Sequence, residues 1–282
     1  MPAIHSQCLH RDAERPLSRY LRPEPDAPVT LTLLLEPDEP PAFHVERPNG
    51  RSPFLLTCDH AGARVPRKLG TLGVSAEDMT RHIAWNIGAG AVAMKMAAAL
   101  DAFTILQTYS RLVIDCNRRP GIPASIVHLS EATRIPGNEV VTIEEAAARE
   151  REIFRPYHER IRTELDARQE HNRPTVLISV HSFTPTFHGK PRPWHAGVLY
   201  NKDPRLAVEL LRHLRADPGL HIGDNEPYAV GDTTDYTIPE HGERRGLPHV
   251  GIELRQDLIE AESGQNEWAQ RLAGALEAIV RS

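Results

Sequence analysis

Short apolar runs that end abruptly in polar residues, separated by segments of helical length, constrain this chain more than any other feature. Residues 54–58 (Phe-Leu-Leu-Thr-Cys) run into Asp59-His60, and residues 111–114 run into Asp115-Cys116-Asn117-Arg118. Residues 175–180 lead into His181-Ser182, and residues 249–252 into Glu253-Leu254-Arg255. Strands that are apolar at nearly every position need cover on both faces, which is the environment of a parallel sheet flanked by helices. The intervening segments supply those helices. Ser75-Ala76-Glu77-Asp78 and Thr142-Ile143-Glu144-Glu145 read as capping boxes. They predict helices over 75–100 and over 142–169. Asp203-Pro204 opens another, with Pro at the first helical position, and 268–281 reads as a closing amphipathic helix. Further strands are expected at 102–107, 111–115 and 197–200. Strands alternating with helices give an α/β fold with a central, mainly parallel sheet.

The first forty residues depart from this pattern. Arg11, Arg15, Arg19 and Arg22 alternate with acids, and seven prolines between Pro16 and Pro41 break any long element. Residues 1–42 are therefore expected to be a Pro/Arg-rich extension with one short strand at 29–35, and 43–282 a single α/β domain. Lys and Arg total 33 against 38 Asp and Glu, leaving −5 with no basic block, which argues against a nucleic-acid partner. No apolar run approaches the ~20 residues of a membrane span, so no membrane partner is expected. Three scattered cysteines without C-x-x-C argue against a disulfide framework and fit a reducing, cytoplasmic setting. The N-terminus lacks the charged-then-apolar order of a signal peptide.

In open α/β sheets, functional groups gather beyond the carboxyl ends of the strands. Here two imidazoles, a carboxylate and several guanidiniums converge there if the strands are neighbours. Neutral imidazole is the commonest zinc ligand, so His60 and His181 are candidate metal ligands; the plain alternative is that each satisfies a loop carbonyl. Glu253, at the end of an apolar strand, is either a general base for water on a metal or a buried partner for an arginine such as Arg255. Arg111 and Arg118 suit a planar carboxylate, and the alternative is pairing with Asp115 or surface acids. Two competitors are weaker. Gly88-Ala89-Gly90-Ala91-Val92-Ala93 matches a loose dinucleotide pattern, but no clean strand precedes it. A Cys–His nucleophile could draw on Cys58 or Cys116, although both lie in or beside buried strands.

Five ordered motifs together resemble the N-formylglutamate amidohydrolase family: Cys58-Asp59-His60-Ala61-Gly62, His82-Ile83-Ala84-Trp85-Asn86-Ile87-Gly88-Ala89, the segment from Ser110 to Arg118, Val180-His181-Ser182-Phe183, and the segment from Gly251 to Leu258. The resemblance implies a three-layer, phosphorylase/hydrolase-like sandwich around a mixed sheet, related to zinc exopeptidases. It implies hydrolysis of the N-formyl or N-acyl amide of an acidic amino acid, such as N-formyl-L-glutamate, by metal-activated water. It implies that His60 and His181 bind Zn2+ or another divalent ion, that Glu253 is the base, and that Arg111, Asn117 and Arg118 hold substrate carboxylates and polarise the amide. Arg255, in the last motif, and His241, in the loop before it, are further candidates, for substrate and for catalysis. Asn86 stands where such proteins carry an aspartate, so a third metal ligand there would be neutral. An alternative is a weakly active or non-catalytic carboxylate-binding member without a tight metal.

Overall fold

The computed structural model describes residues 33–281. Most of the N-terminal extension, with positions 29–32 of the strand expected at 29–35, lies outside the described residues. Leu33–Leu35 form no strand. The Leu34 and Leu35 amides instead donate to the Glu152 carboxylate at 2.7 and 2.9 Å.

In chain order the elements are β1 (Phe43–Glu46), β2 (Phe54–Cys58), α1 (Ala76–Met79), α2 (Ala89–Leu100) and β3 (Phe103–Gln107). A small hairpin, β4 (Leu129–Ser130) and β5 (Thr133–Arg134), precedes α3 (Ile143–Arg149) and α4 (Arg155–Glu170). Then follow β6 (Val176–Phe183), a second hairpin of β7 (Thr186–Phe187) and β8 (Lys190–Pro191), and β9 (Ala196–Leu199). The chain ends with α5 (Arg205–Leu214), β10 (Ile222–Asp224), β11 (His249–Arg255) and α6 (Glu262–Arg281). The seven-stranded sheet has the order β1-β3-β2-β6-β11-β9-β10. Strands β3, β2, β6 and β11 run parallel, β1 and β9 pair antiparallel with β3 and β11, and β10 is parallel to β9. The sheet is mixed and mainly parallel.

Alternation along the strands sorts the core into two layers. Leu56, Ile178 and Ile252 pack with Val92 and Met96 of α2, Leu210 of α5 and Leu272 and Leu276 of α6. Leu55, Leu177 and Ile105 pack on the opposite face with Tyr157, Ile161 and Leu165 of α4. Helices therefore cover both faces, as the apolar strands require. The Thr142 box forms as read: Thr142 Oγ1 accepts from the Glu145 amide at 3.1 Å, and the Glu145 carboxylate accepts from the Thr142 amide at 2.8 Å. One wider π turn at Glu150–Phe154 joins α3 to α4.

Two sequence expectations need correction. The helix expected over 75–100 is two helices. Ser75 caps α1, but α1 stops at Met79 and α2 starts only at Ala89, freeing a loop that carries Asn86. Gly88 makes that turn with φ 77°, and a Cβ there would come 2.3 Å from the Ile259 carbonyl oxygen. Residues 111–115 form turns and no strand. Their amides bond outside any ladder (Arg111 to the Ala84 carbonyl, 3.2 Å; Val113 to the Ser110 carbonyl, 2.9 Å; Asp115 to the Ser125 carbonyl, 2.8 Å). The apolar run has a different cause: Leu112, Val113 and Ile114 are core residues of the α4 side. Hydrophobicity was the right signal for burial and the wrong one for extension.

Candidate active site

Three adjacent parallel strands deliver polar side chains to one end of the α4 face. On β11, Glu253 is the Cα partner of His181 on β6, and Gly251 of Ser179. Asp59 follows directly on β2. A cavity of about 660 Å³ opens there, lined by His60, Asn86, Arg111, Arg118, His181 and Glu253 among others.

Each imidazole is braced by a buried carboxylate. Asp115 Oδ1 lies 2.7 Å from His60 Nε2. Burial alone would raise the Asp115 carboxyl, but the Arg111 charge and the contact with His60 hold it well below the usual carboxylate range. An ionised carboxylate only accepts, so His60 Nε2–H donates. Burial first, and the Arg111 charge second, keep His60 below its ordinary value, which favours the neutral ring with Nδ1 toward Asn86. His181 Nε2 lies 2.9 Å from Ser179 Oγ and 3.4 Å from Asp59 Oδ2. Burial opposes charge on His181, but the bond to Asp59 and the charges of Glu253 and Asp59 outweigh it and raise the imidazole above its ordinary value. Asp59 is itself fixed by the Tyr157 hydroxyl at 2.7 Å and the Thr237 hydroxyl at 2.9 Å. Burial alone would raise this carboxyl too, and His181 reverses the direction.

The two Nδ1 atoms meet at one point. His60 Nδ1 and His181 Nδ1 lie 3.2 and 3.0 Å from Asn86 Oδ1. Ligands at ~2.0–2.1 Å from a tetrahedral ion stand roughly 3.3 Å apart, so this donor spacing matches a metal set. Carboxylates behind both imidazoles are the usual outer support of such ligands. Two nitrogens and a neutral oxygen therefore fit a divalent ion, although no group of three or more His, Cys, Asp or Glu residues among the described residues is arranged to hold one.

Glu253 is buried, and its Oε2 has no hydrogen-bond partner. Burial pushes its carboxyl up to about 7, against the pull of His181, Arg111 and Arg192. A carboxylate that exchanges its proton near neutrality beside two imidazoles is suited to general base work.

The remaining sequence candidates divide. Arg111 lines the cavity but already donates twice to Asp115 Oδ2, at 3.1 and 2.6 Å. Arg118 lines it too, donating to the Asn117 carbonyl at 2.9 Å and facing Asp235 at 3.4 Å. The Asn117 side chain is committed to the loop beyond β10: it donates to Asp235 at 3.0 Å and accepts from the Tyr236 and Thr237 amides at 3.0 Å each. It clamps that loop and has no spare amide oxygen for a ligand. Two candidates stand outside the cavity lining. Arg255, the last residue of β11, turns to Asp257 in the short helical turn that follows, with bonds of 2.8 and 3.2 Å. His241 packs beneath the floor, its Nε2 at 3.0 Å from His158 Nδ1, while His158 Nε2 faces the Cys116 carbonyl at 2.7 Å. Burial keeps His158 at about 4 and His241 well below the ordinary histidine value, so both are neutral struts tying the loop to the Cys116 turn. Burial raises both cysteine thiols, which removes them as nucleophiles. In the glycine-rich stretch, Gly90 sits close against Ala61, a packing role.

Sequence reading missed Asp59, Ser179 and Tyr157 as supports, Asp235 and Tyr228 in the cavity lining, and Arg192 stacked on lining rings. Ser179 was open to discovery by its two-residue spacing from His181; the loop residues carry no local signal.

A mainly parallel α/β sheet whose strand ends gather braced imidazoles, a buried carboxylate and arginines has the groups that acid–base hydrolysis needs. The chain belongs to the N-formylglutamate amidohydrolase family, whose sequence model matches residues 52–260. It is 29% identical over 257 residues to the N-formylglutamate deformylase of Pseudomonas putida, covering 85% of this chain and 92% of that protein. Among solved structures, a gene product of Agrobacterium tumefaciens is 36% identical with a TM-score of 0.83, covering 87% of this chain and 99% of that one. N-formylglutamate amidohydrolase from Ralstonia eutropha superimposes with a TM-score of 0.62 at 19% identity, covering 85% and 97%, a likeness of fold.

Proposed function

We propose that this protein hydrolyses the N-formyl amide of an acidic N-formyl amino acid, N-formyl-L-glutamate before others, to formate and the free amino acid. The observation that carries the reading is the Glu253 carboxyl, buried, partnerless at Oε2 and poised at about 7 beside the paired imidazoles. His60, His181 and Asn86 would hold Zn2+ or another divalent ion, which when bound polarises the carbonyl and acidifies water. Glu253 takes a proton from water as the water oxygen bonds to the formyl carbon. It returns that proton to the amide nitrogen as the C–N bond breaks. Asp59 and Asp115 hold the imidazoles in the tautomers that point Nδ1 into the cavity. Arg111, locked by Asp115, polarises the amide oxygen, and Arg118 pairs with a substrate carboxylate.

A second reading rests on Asn86. A neutral amide adds no charge to cancel that of the ion, and turning it about its Cβ–Cγ bond brings its NH2 to the imidazoles, replacing an ion by hydrogen bonds. The protein would then bind carboxylates and turn over weakly. Formate released from N-formyl-L-glutamate by the full chain, with and without added zinc, separates the two. Zinc-dependent release supports the first reading, and no release with zinc rejects it.

A further inference from the structure

Every arginine that the sequence assigns to substrate already has an anion: Arg111 has Asp115, Arg118 has Asp235 and Arg255 has Asp257. Arg192 has none. It lies just beyond the β7–β8 hairpin, which leaves the carboxyl end of β6, and its amide donates to the Pro185 carbonyl at 2.8 Å. Only 9% of it is exposed. Its guanidinium stands over Phe187 at 4.4 Å, Tyr228 at 4.7 Å and Phe183 at 5.8 Å from the ring centres. All three rings line the cavity, and Arg192 stands directly behind them, one ring's thickness from its space. One N–H donates to the Tyr228 hydroxyl at 2.8 Å. A guanidinium has five N–H donors, and among the described residues no carboxylate takes any of the others.

A buried charge without a counter-ion is costly, and aromatic faces compensate only part of that cost. An anionic ligand reaching such a group would complete the pair. The charge also reaches the catalytic end, since Arg192 pulls Glu253 down against the upward push of burial. A substrate such as N-formylglutamate carries two carboxylates, and Arg118 accounts for one.

We propose that Arg192 is the specificity residue for the second carboxylate of the substrate, held in a box walled by Phe183, Phe187 and Tyr228. This rests on the reading of the cavity as an N-formyl amino acid site and adds the residue that reads the side-chain carboxylate.

The test pairs kinetics with binding on the full chain. N-formyl-L-glutamate is compared with N-formyl-L-norvaline, which lacks the side-chain carboxylate, and glutarate binding is compared with butyrate binding by calorimetry. Loss of a charge-assisted contact costs about 10–100-fold. Arg192→Met should therefore lower kcat/KM for the glutamate derivative by about that factor more than for the norvaline derivative, any effect through Glu253 being common to both. Arg192→Lys should recover part of the loss. Glutarate should bind the wild type more tightly than butyrate, and Arg192→Met should erase the difference. Equal losses on both substrates, or a wild type that does not prefer glutarate, overturn the proposal and leave Arg192 as an aromatic-stacked prop. Should Arg192→Met not fold, the wild-type preference and the Arg192→Lys variant decide. A wild type that releases no formate but prefers glutarate through Arg192 refutes the hydrolase reading and leaves this assignment standing.

Discussion

Replacing Glu253 by glutamine should make the protein both inactive and more stable at neutral pH, and the second effect can be worked from the structure. The Glu253 carboxyl rises from an ordinary 4.5 to about 7 because it is buried, despite the charges of His181, Arg111 and Arg192. The folded state thus holds its proton more firmly than the unfolded chain. Stability tied to this group is fully present below about 4.5 and is lost as pH climbs through about 7. At about 1.4 kcal/mol for each pH unit, the loss amounts to about 3 kcal/mol above pH 7. Glutamine keeps the shape and never ionises, so it escapes that penalty. Urea unfolding of wild type and Glu253→Gln, both stripped with chelator, measures it. The difference in unfolding free energy between the two should be small near pH 4 and widen by about 3 kcal/mol toward pH 8, with Glu253→Gln the more stable. A difference that does not change with pH would refute the claim that burial governs this carboxyl. In the same protein, turnover should fall ~10²–10⁴-fold. Less than a fivefold fall makes Glu253 a structural group.

Arg118→Ala should raise KM for the acidic substrate far more than for its neutral carboxamide analogue; equal changes on both would remove it from the carboxylate subsite. Asn86→Asp adds a charged oxygen between His60 and His181, and weakened ligation typically costs ~10–100-fold or more in metal affinity. The wild type should therefore purify with substoichiometric metal and Asn86→Asp with more, by elemental analysis; equal contents reject position 86 as a ligand. Asp115→Asn keeps a contact to His60 but loses the anion that fixes its tautomer and anchors Arg111. It should cut kcat at least ~10-fold with little change in KM, and unchanged kcat would show that the brace is dispensable.

The parallel core was readable because buried strands leave contiguous apolar runs, and those runs stopped where the polar groups begin. The same logic located His60, His181 and Glu253 at one end of the sheet. It failed at 111–115, where Leu112, Val113 and Ile114 are buried without a ladder partner, since periodicity reports burial more faithfully than backbone shape. It also failed between Met79 and Ala89, where the Ser75 cap gave no sign that the helix lasts one turn. His241 and Arg255 sit near the site in sequence but outside it in space, held by His158 and Asp257. Asn117 reaches the cavity yet spends its amide on the 235–237 backbone. Arg192 was invisible because its significance lies in a missing counter-ion, which only three-dimensional neighbours can reveal.

The most direct test of the account is hydrolysis of N-formyl-L-glutamate in 18O-labelled water, followed by mass spectrometry of both products. Attack of water on the formyl carbon predicts one labelled oxygen in formate, none in glutamate, equal amounts of the two, and none of this from Glu253→Gln above background. Label in glutamate, or no formate from zinc-supplemented wild type, would contradict it.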